Sequence, residues 1–190
     1  IDSGRVTDVD TYSGLRCTQY FTEIGVCMDD AGPNPARLDP AVRRALATAT
    51  DKSSIVDLFY RGYADVGTTL ISPVNTDWHY EPTPAERFPY SLDMAGDILE
   101  EAGYRYTNES PSVRIATNES LAVRAGWTEE GTPLEFEMLV RSNSPEERDI
   151  AMYLQIQWRD IGVSIEYRVL DEADMGVAVY GYAYDLMIWY

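Results

Sequence analysis

The chain has 190 residues, 45% of them hydrophobic, with 32 acidic side chains against 15 basic ones and a formal net charge of −17. That length supports one compact domain with its own core, and no apolar run approaches the roughly 20 residues a membrane-spanning helix needs. The acidic excess repels phosphate backbones and anionic lipid surfaces, which argues against nucleic-acid or membrane-surface binding; spread along the whole sequence, it serves solubility and marks no cation site.

Residues 5–14 are polar and without periodicity. Asp8, Asp10 and Gly14 sketch a calcium loop, but its fifth ligand position is Tyr12 and its closing glutamate position is Gln19, so the reading fails. The stretch 17–28, with Tyr20, Phe21, Ile24 and Val26, reads as a strand. A straight strand would hold Cys17 and Cys27 about 30 Å apart, so a disulfide requires the segment to fold back on itself. The stretch 29–39 is rich in Gly, Pro, Asn and Asp and reads as a loop. Asp39 then offers an N-cap and Pro40 a first helical residue, with Val42, Ala45, Leu46 and Ala49 at helical spacing. Asp51 opens a second helix whose apolar side is Ile55, Val56, Leu58 and Phe59, and Gly62 stops it.

A long connection, 63–90, carries Pro73, Pro82, Pro84 and Pro89; a loop of that length has a job or packs over the surface. Ser91 caps the next helix, with Leu92, Ala95, Ile98, Leu99 and Ala102 on one side and Gly103 after it. The stretch 104–132 reads as irregular. It repeats Asn-Glu-Ser at 108–110 and 118–120, matching the N-glycosylation pattern but equally at home in a polar surface loop.

The last third is the most regular. Leu134, Phe136, Met138 and Val140 alternate as a strand, and Ser144, Pro145 and Glu147 make a capping-box start. Ile150, Leu154, Trp158 and Ile161 line one helix face, and Gly162 ends it. Val163, Ile165, Tyr167 and Val169 form the next strand, 171–181 a short helix weakened by Gly176, and 184–190 an apolar strand. This βαβαβ run predicts parallel strands joined by right-handed crossovers, so the domain is α/β with a mixed sheet flanked by helices. An apolar strand at 184–190 and the lack of a leader before Ile1 lead us to expect a piece of a longer protein, with any export signal or anchor outside it.

No phosphate-binding glycine loop and no HExxH motif occurs, and the single histidine, His79, cannot build a multi-histidine metal site. Nothing around Cys17, Cys27 or any serine resembles a nucleophile elbow. His79 suits a surface or packing role, and the pairs Glu100–Glu101 and Glu129–Glu130 read as solvated faces. The expectation is a protein that is not an enzyme and holds no metal or cofactor.

Five segments in a fixed order carry a family resemblance. They are Val42 to Lys52 with Ile55-Val56 and Arg61-Gly62-Tyr63; Pro89 to Tyr104, with Leu99-Glu100-Glu101-Ala102-Gly103-Tyr104; Gly131 to Leu134; Gln155 to Val163; and Tyr184 to Trp189. Together they resemble family 5 extracellular solute-binding proteins, the dipeptide-, oligopeptide- and nickel-binding components of ABC importers. The sequence departs from that pattern at 25–28, where relatives carry Phe-Asn, and in the longer 104–132 stretch. The acidic residue that relatives use for a peptide's amino terminus lies just past the last matching strand, beyond Tyr190.

The resemblance implies that 1–190 is one lobe of a type II periplasmic-binding-protein-like fold, whose second lobe is encoded elsewhere in the same protein. It implies a small peptide or other solute as ligand, a membrane permease as partner, and an extracellular or periplasmic location with anchoring through a segment outside this sequence. Nickel chelates, sugars and opines use the same architecture. Matching segments nominate Glu23, Glu172, Tyr180, Ile188, Trp189 and Tyr190 as ligand-binding residues. A sensor or adhesion module that keeps the fold without transport is the alternative, and a hydrolase fragment a remote one.

Overall fold

The computed structural model describes residues 22–30, 32–73, 75–84, 86–110 and 112–189. Strand β1 spans Glu23–Val26, and a 3-10 turn at Pro35–Leu38 interrupts what the sequence presents as plain loop. Helix α1 (Pro40–Thr48) begins as expected, with the Asp39 carboxylate accepting from the Ala41 N–H at 2.9 Å. Helix α2 (Lys52–Phe59) is capped by Asp51, and α3 (Leu92–Glu101) by Ser91.

The stretch 104–132 is more ordered than its sequence suggests. Strands β2 (Tyr104–Arg105) and β3 (Ile115–Ala116) pair antiparallel, followed by a short helix, α4 (Leu121–Arg124). Two-residue strands carry no periodicity, so only tertiary contacts reveal them. Tyr104 is fully buried and donates its hydroxyl to Asp39 at 2.9 Å. Burial, with the Asp39 charge second, pushes its phenol far above the usual range.

The remaining elements are β4 (Glu135–Arg141), α5 (Pro145–Arg159), β5 (Ser164–Leu170), α6 (Glu172–Tyr180) and β6 (Leu186–Trp189). They form the sheet in the order β1-β6-β4-β5. Strand β4 is parallel to both β5 and β6, while β1 runs antiparallel to β6, so the sheet is mixed. The α5 crossover joins neighbours, whereas α6 carries the chain across β4 to its other side.

Alternation along the strands sorts the side chains onto two faces. Phe136, Met138, Val140, Ile165, Leu186 and Ile188 point into the larger core, which α1, α3 and α5 complete. Trp158 of α5 is 1% exposed there and donates its indole N–H to Thr50 at 3.2 Å. Gly162 ends α5 at φ +81, where an added Cβ would also lie 2.7 Å from the Arg114 side chain, so glycine is required twice over. On the second face, Met175 and Ala178 of α6 pack with Cys27, Leu139 and Tyr184 into a smaller cluster.

Three expectations change. The capping box at Ser144 does not form: Ser144 makes no side-chain cap bond, and the Glu147 carboxylate accepts from Arg141 instead of from the Ser144 N–H. Helix α2 buries none of its side chains fully; Leu58 is 61% exposed, and contact with α5 runs through Phe59, edge-on to Tyr153 at 5.7 Å. The strand expected over 17–28 is described only as Glu23–Val26, and Cys17 lies outside the described residues. Cys27 follows β1 as a buried thiol.

The connection 63–90 holds neither helix nor strand among its described residues. Tyr63, Leu70, Trp78 and Tyr80 are largely exposed along it. Polar contacts shape it: the His79 ring bridges the Ile71 carbonyl at 2.6 Å and Glu81 at 3.1 Å, Glu81 also pairs with Arg87, and the Tyr80 hydroxyl donates to Glu86 at 2.7 Å.

Candidate functional site

In an open α/β sheet, ligands bind beyond the carboxyl ends of the parallel strands, where the connections diverge. Here that edge carries the last residues of β4, β5 and β6. Because β1 is antiparallel to β6, its first residue arrives at the same place: Glu23 lies directly opposite Trp189. The N-terminus of α5 and the start of α6 follow β4 and β5 at this edge as well.

Three of the nominated residues therefore share the carboxyl edge. Glu23 is half-buried, Trp189 is 36% exposed, and Glu172 stands exposed in the first turn of α6. Glu23 and Trp189 are cross-strand neighbours in the phase of the second sheet face. Ile188 is one residue out of that phase; it is fully buried opposite Ile24 and belongs to the core rather than to a cleft. Tyr180 ends α6, which runs back against the strands, so it is 88% exposed at the opposite edge. Tyr190 lies outside the described residues.

The edge also gathers residues that sequence patterns do not single out. Arg141, the last residue of β4, is 5% exposed and bonded to Glu147: Nε to Oε1 at 2.8 Å, Nη2 to the same oxygen, and the backbone N–H to Oε2 at 2.9 Å. Its guanidinium carbon sits 5.5 Å from the centre of the Trp189 ring, a cation–π contact. Beside them an open depression of about 390 Å³ is lined by Thr22, Phe59, Tyr60, Arg61 and Ser144 together with Glu146 and Glu147. Thr22 and Tyr60 share a hydroxyl–hydroxyl bond of 2.8 Å, and Arg61 takes a left-handed backbone with φ 52. The one available signal was an arginine ending the strand right after the apolar run Met138-Leu139-Val140, with a glutamate six residues on.

The opposite edge is structural. Asp185, 1% exposed, accepts from Arg37 at 3.1 Å, from the Asn34 N–H at 2.7 Å and from the Glu137 N–H at 3.0 Å. Burial raises its pKa, and those two amides and the Arg37 charge oppose the rise. Arg37 also donates to the carbonyls of Cys27 and Asp29, and Arg43 to those of Arg37 and Leu38, so the 3-10 turn is tied to β6 and to the end of β1. Among the described residues no group of three His, Cys, Asp or Glu side chains could hold a metal ion, and no helix is long and apolar enough to cross a membrane.

The family model for bacterial extracellular solute-binding proteins, family 5 Middle, matches residues 7–190. The chain belongs to this family. The family 5 chain is 26% identical over 134 residues to the oligopeptide-binding protein AppA of Bacillus subtilis, an alignment covering 70% of this chain and 22% of that protein. The structure of B. subtilis AppA in complex with a nonapeptide superposes with a TM-score of 0.73 at 23% identity, covering 89% of this chain and 30% of AppA. NikZ from Campylobacter jejuni in complex with Ni(L-His) gives 0.66 at 23% identity, over 89% and 29% of the two chains. MelB from Agrobacterium fabrum in complex with stachyose gives 0.68 at 18% identity, over 88% and 25%. These structural likenesses speak to the fold, and the chain spans less than a third of the length of each relative.

Proposed function

We propose that residues 1–190 form one lobe of a two-lobe solute-binding protein that works with an ABC importer, without catalysing a reaction and with a small peptide as its solute. The observation that carries the reading is the antiparallel pairing of β1 with β6. It brings Glu23 and Trp189 side by side at the carboxyl edge, where the parallel strands β4, β5 and β6 also end. The same edge carries the half-exposed aromatic, carboxylate and hydroxyl groups described above, a surface suited to meet a solute from one side. A solute held between two lobes contacts both only when they close, so binding favours the closed form by its difference in affinity for the two states. The closed form would dock on the permease outside the cytoplasmic membrane.

Peptide is favoured by Trp189, which offers flat apolar area with a polar tip, and by Glu23, a carboxylate beside it that suits an amino group. That AppA, a relative covering most of this chain, is an oligopeptide-binding protein supports the same choice. One lobe provides half of such a site. Calorimetry with a pool of random pentapeptides should detect binding to the full-length protein and none in the micromolar range to residues 1–190. Micromolar binding by the isolated lobe would contradict the two-lobe reading. Full-length protein that ignores peptides but binds nickel–histidine or an oligosaccharide would keep the clamp and replace the solute.

A further inference from the structure

The carboxyl edge contains a buried charge pair whose placement points beyond stability. Arg141 and Glu147 are 5% and 2% exposed. Desolvating two charges offsets most of their attraction, and an apolar pair of similar volume commonly holds a fold as well or better. This pair is built with more bonds than a spacer needs: one Glu147 oxygen takes the Nε and Nη2 donors of Arg141, and the other takes the Arg141 backbone N–H. The guanidinium is thereby clamped in the plane of its fork. With its side chain 6% exposed, it does not reach out to a solute. Its position over the Trp189 ring, 5.5 Å from the centroid, is instead fixed from behind. Trp189 is the member that meets solvent, opposite Glu23.

We infer that Glu147 and Arg141 act as a positioning pair that holds the Trp189 indole as a rigid stacking platform for the solute. This rests on the solute-binding reading above and deepens it. An indole free to rotate about two side-chain torsions loses that freedom when a solute stacks on it, and a ring already held loses less. The cation also draws on the ring's π density from one face, so the free face suits neutral flat groups better than a second cation. The platform therefore favours peptide planes and aromatic side chains over lysine and arginine side chains.

The test uses full-length protein labelled with 5-fluorotryptophan, the Trp189 resonance being assigned by its loss in W189F. The decisive variant is the double substitution Arg141→Met with Glu147→Leu, which removes both charges and keeps the volume. It should fold, broaden the Trp189 line, and weaken binding of a tyrosine-containing pentapeptide pool by about five- to tenfold, with a lysine-containing pool less affected. A merely structural pair predicts an unchanged Trp189 line width and unchanged affinities, and that outcome overturns the inference. Should the double variant not fold, Arg141→Lys decides: an ammonium cannot hold the two-point bond, so the line should broaden, and a line width identical to wild type refutes the positioning role. If the wild-type protein binds neither pool, the solute reading falls, while the Trp189 line still decides whether Arg141 positions the ring.

Discussion

The two faces of the sheet are covered to very different depths. On one, α1, α3 and α5 bury a continuous core from Val42 to Ile188. On the other, Met175 and Ala178 of α6, the one helix packed there among the described residues, join Cys27, Leu139 and Tyr184 in a smaller cluster. The first face supplies the burial that makes the domain stable. The second carries Glu23, Trp189 and Arg141 at its carboxyl edge, and holds its far edge with the Arg37–Asp185 pair in place of apolar area. Strand alternation thus separates stability from the proposed binding: in β6, Ile188 is buried in the core and Trp189 lies in the other phase, 36% exposed.

Substitutions can break this contrast, and the largest effect should come from the charged edge. Arg37→Met leaves Asp185 buried without its cation and should cost about 4 kcal/mol, read from urea unfolding. A loss under about 1 kcal/mol would mean the second face does not depend on that pair. Leu154→Ala, fully buried in the larger core, should cost about 3 kcal/mol in the same assay. Met175→Ala, on the buried side of α6, should cost about 2 kcal/mol, because the thinner layer can collapse around the gap; equal losses at Leu154 and Met175 would erase the difference between the faces. Gly25→Ala would place a Cβ 2.8 Å from the Met187 Cε. That atom ends a flexible side chain, so the loss should stay under about 1 kcal/mol.

The smallest effect is a titration away from both faces. Both nitrogens of the His79 ring face acceptors, the Ile71 carbonyl and the Glu81 carboxylate, so the doubly protonated ring satisfies the site best. The Glu81 bond and then the Ile71 carbonyl raise its pKa above 6.5. Its stabilisation of the 63–90 connection is therefore complete below pH 6.5 and fades as pH rises through the folded-state value. His79 is the only histidine, so its ring-proton NMR titration is unambiguous: a midpoint above 6.5 that drops in Glu81→Gln is expected, and a midpoint at or below 6.5 would refute the bridge.

Most helices were legible because each brings its own punctuation: Asp39-Pro40 and Ser91 at starts, Gly103 and Gly162 at stops. The βαβαβ run was legible because Leu134, Phe136, Met138 and Val140 alternate and Ile150, Leu154, Trp158 and Ile161 recur at helical spacing. The hairpin of β2 and β3 was not, since two-residue strands have no period and their order comes from Tyr104 reaching Asp39. The candidate site was legible only in part. Segment matching reached Glu23, Glu172 and Trp189, which the fold gathers at one edge, but it also nominated Ile188 and Tyr180, which lie in the core and at the opposite edge.

By itself the sequence determined the local elements and the family, because caps, glycine stops and hydrophobic period are properties of neighbouring residues. Strand order and pairing direction were left to the tertiary structure. The position of β6 between β1 and β4, antiparallel to one and parallel to the other, puts Glu23 beside Trp189 and Arg141 over the indole. Those contacts join residues more than 40 positions apart, and no local periodicity records them; they exist because burying both cores at once leaves the chain this arrangement of strands.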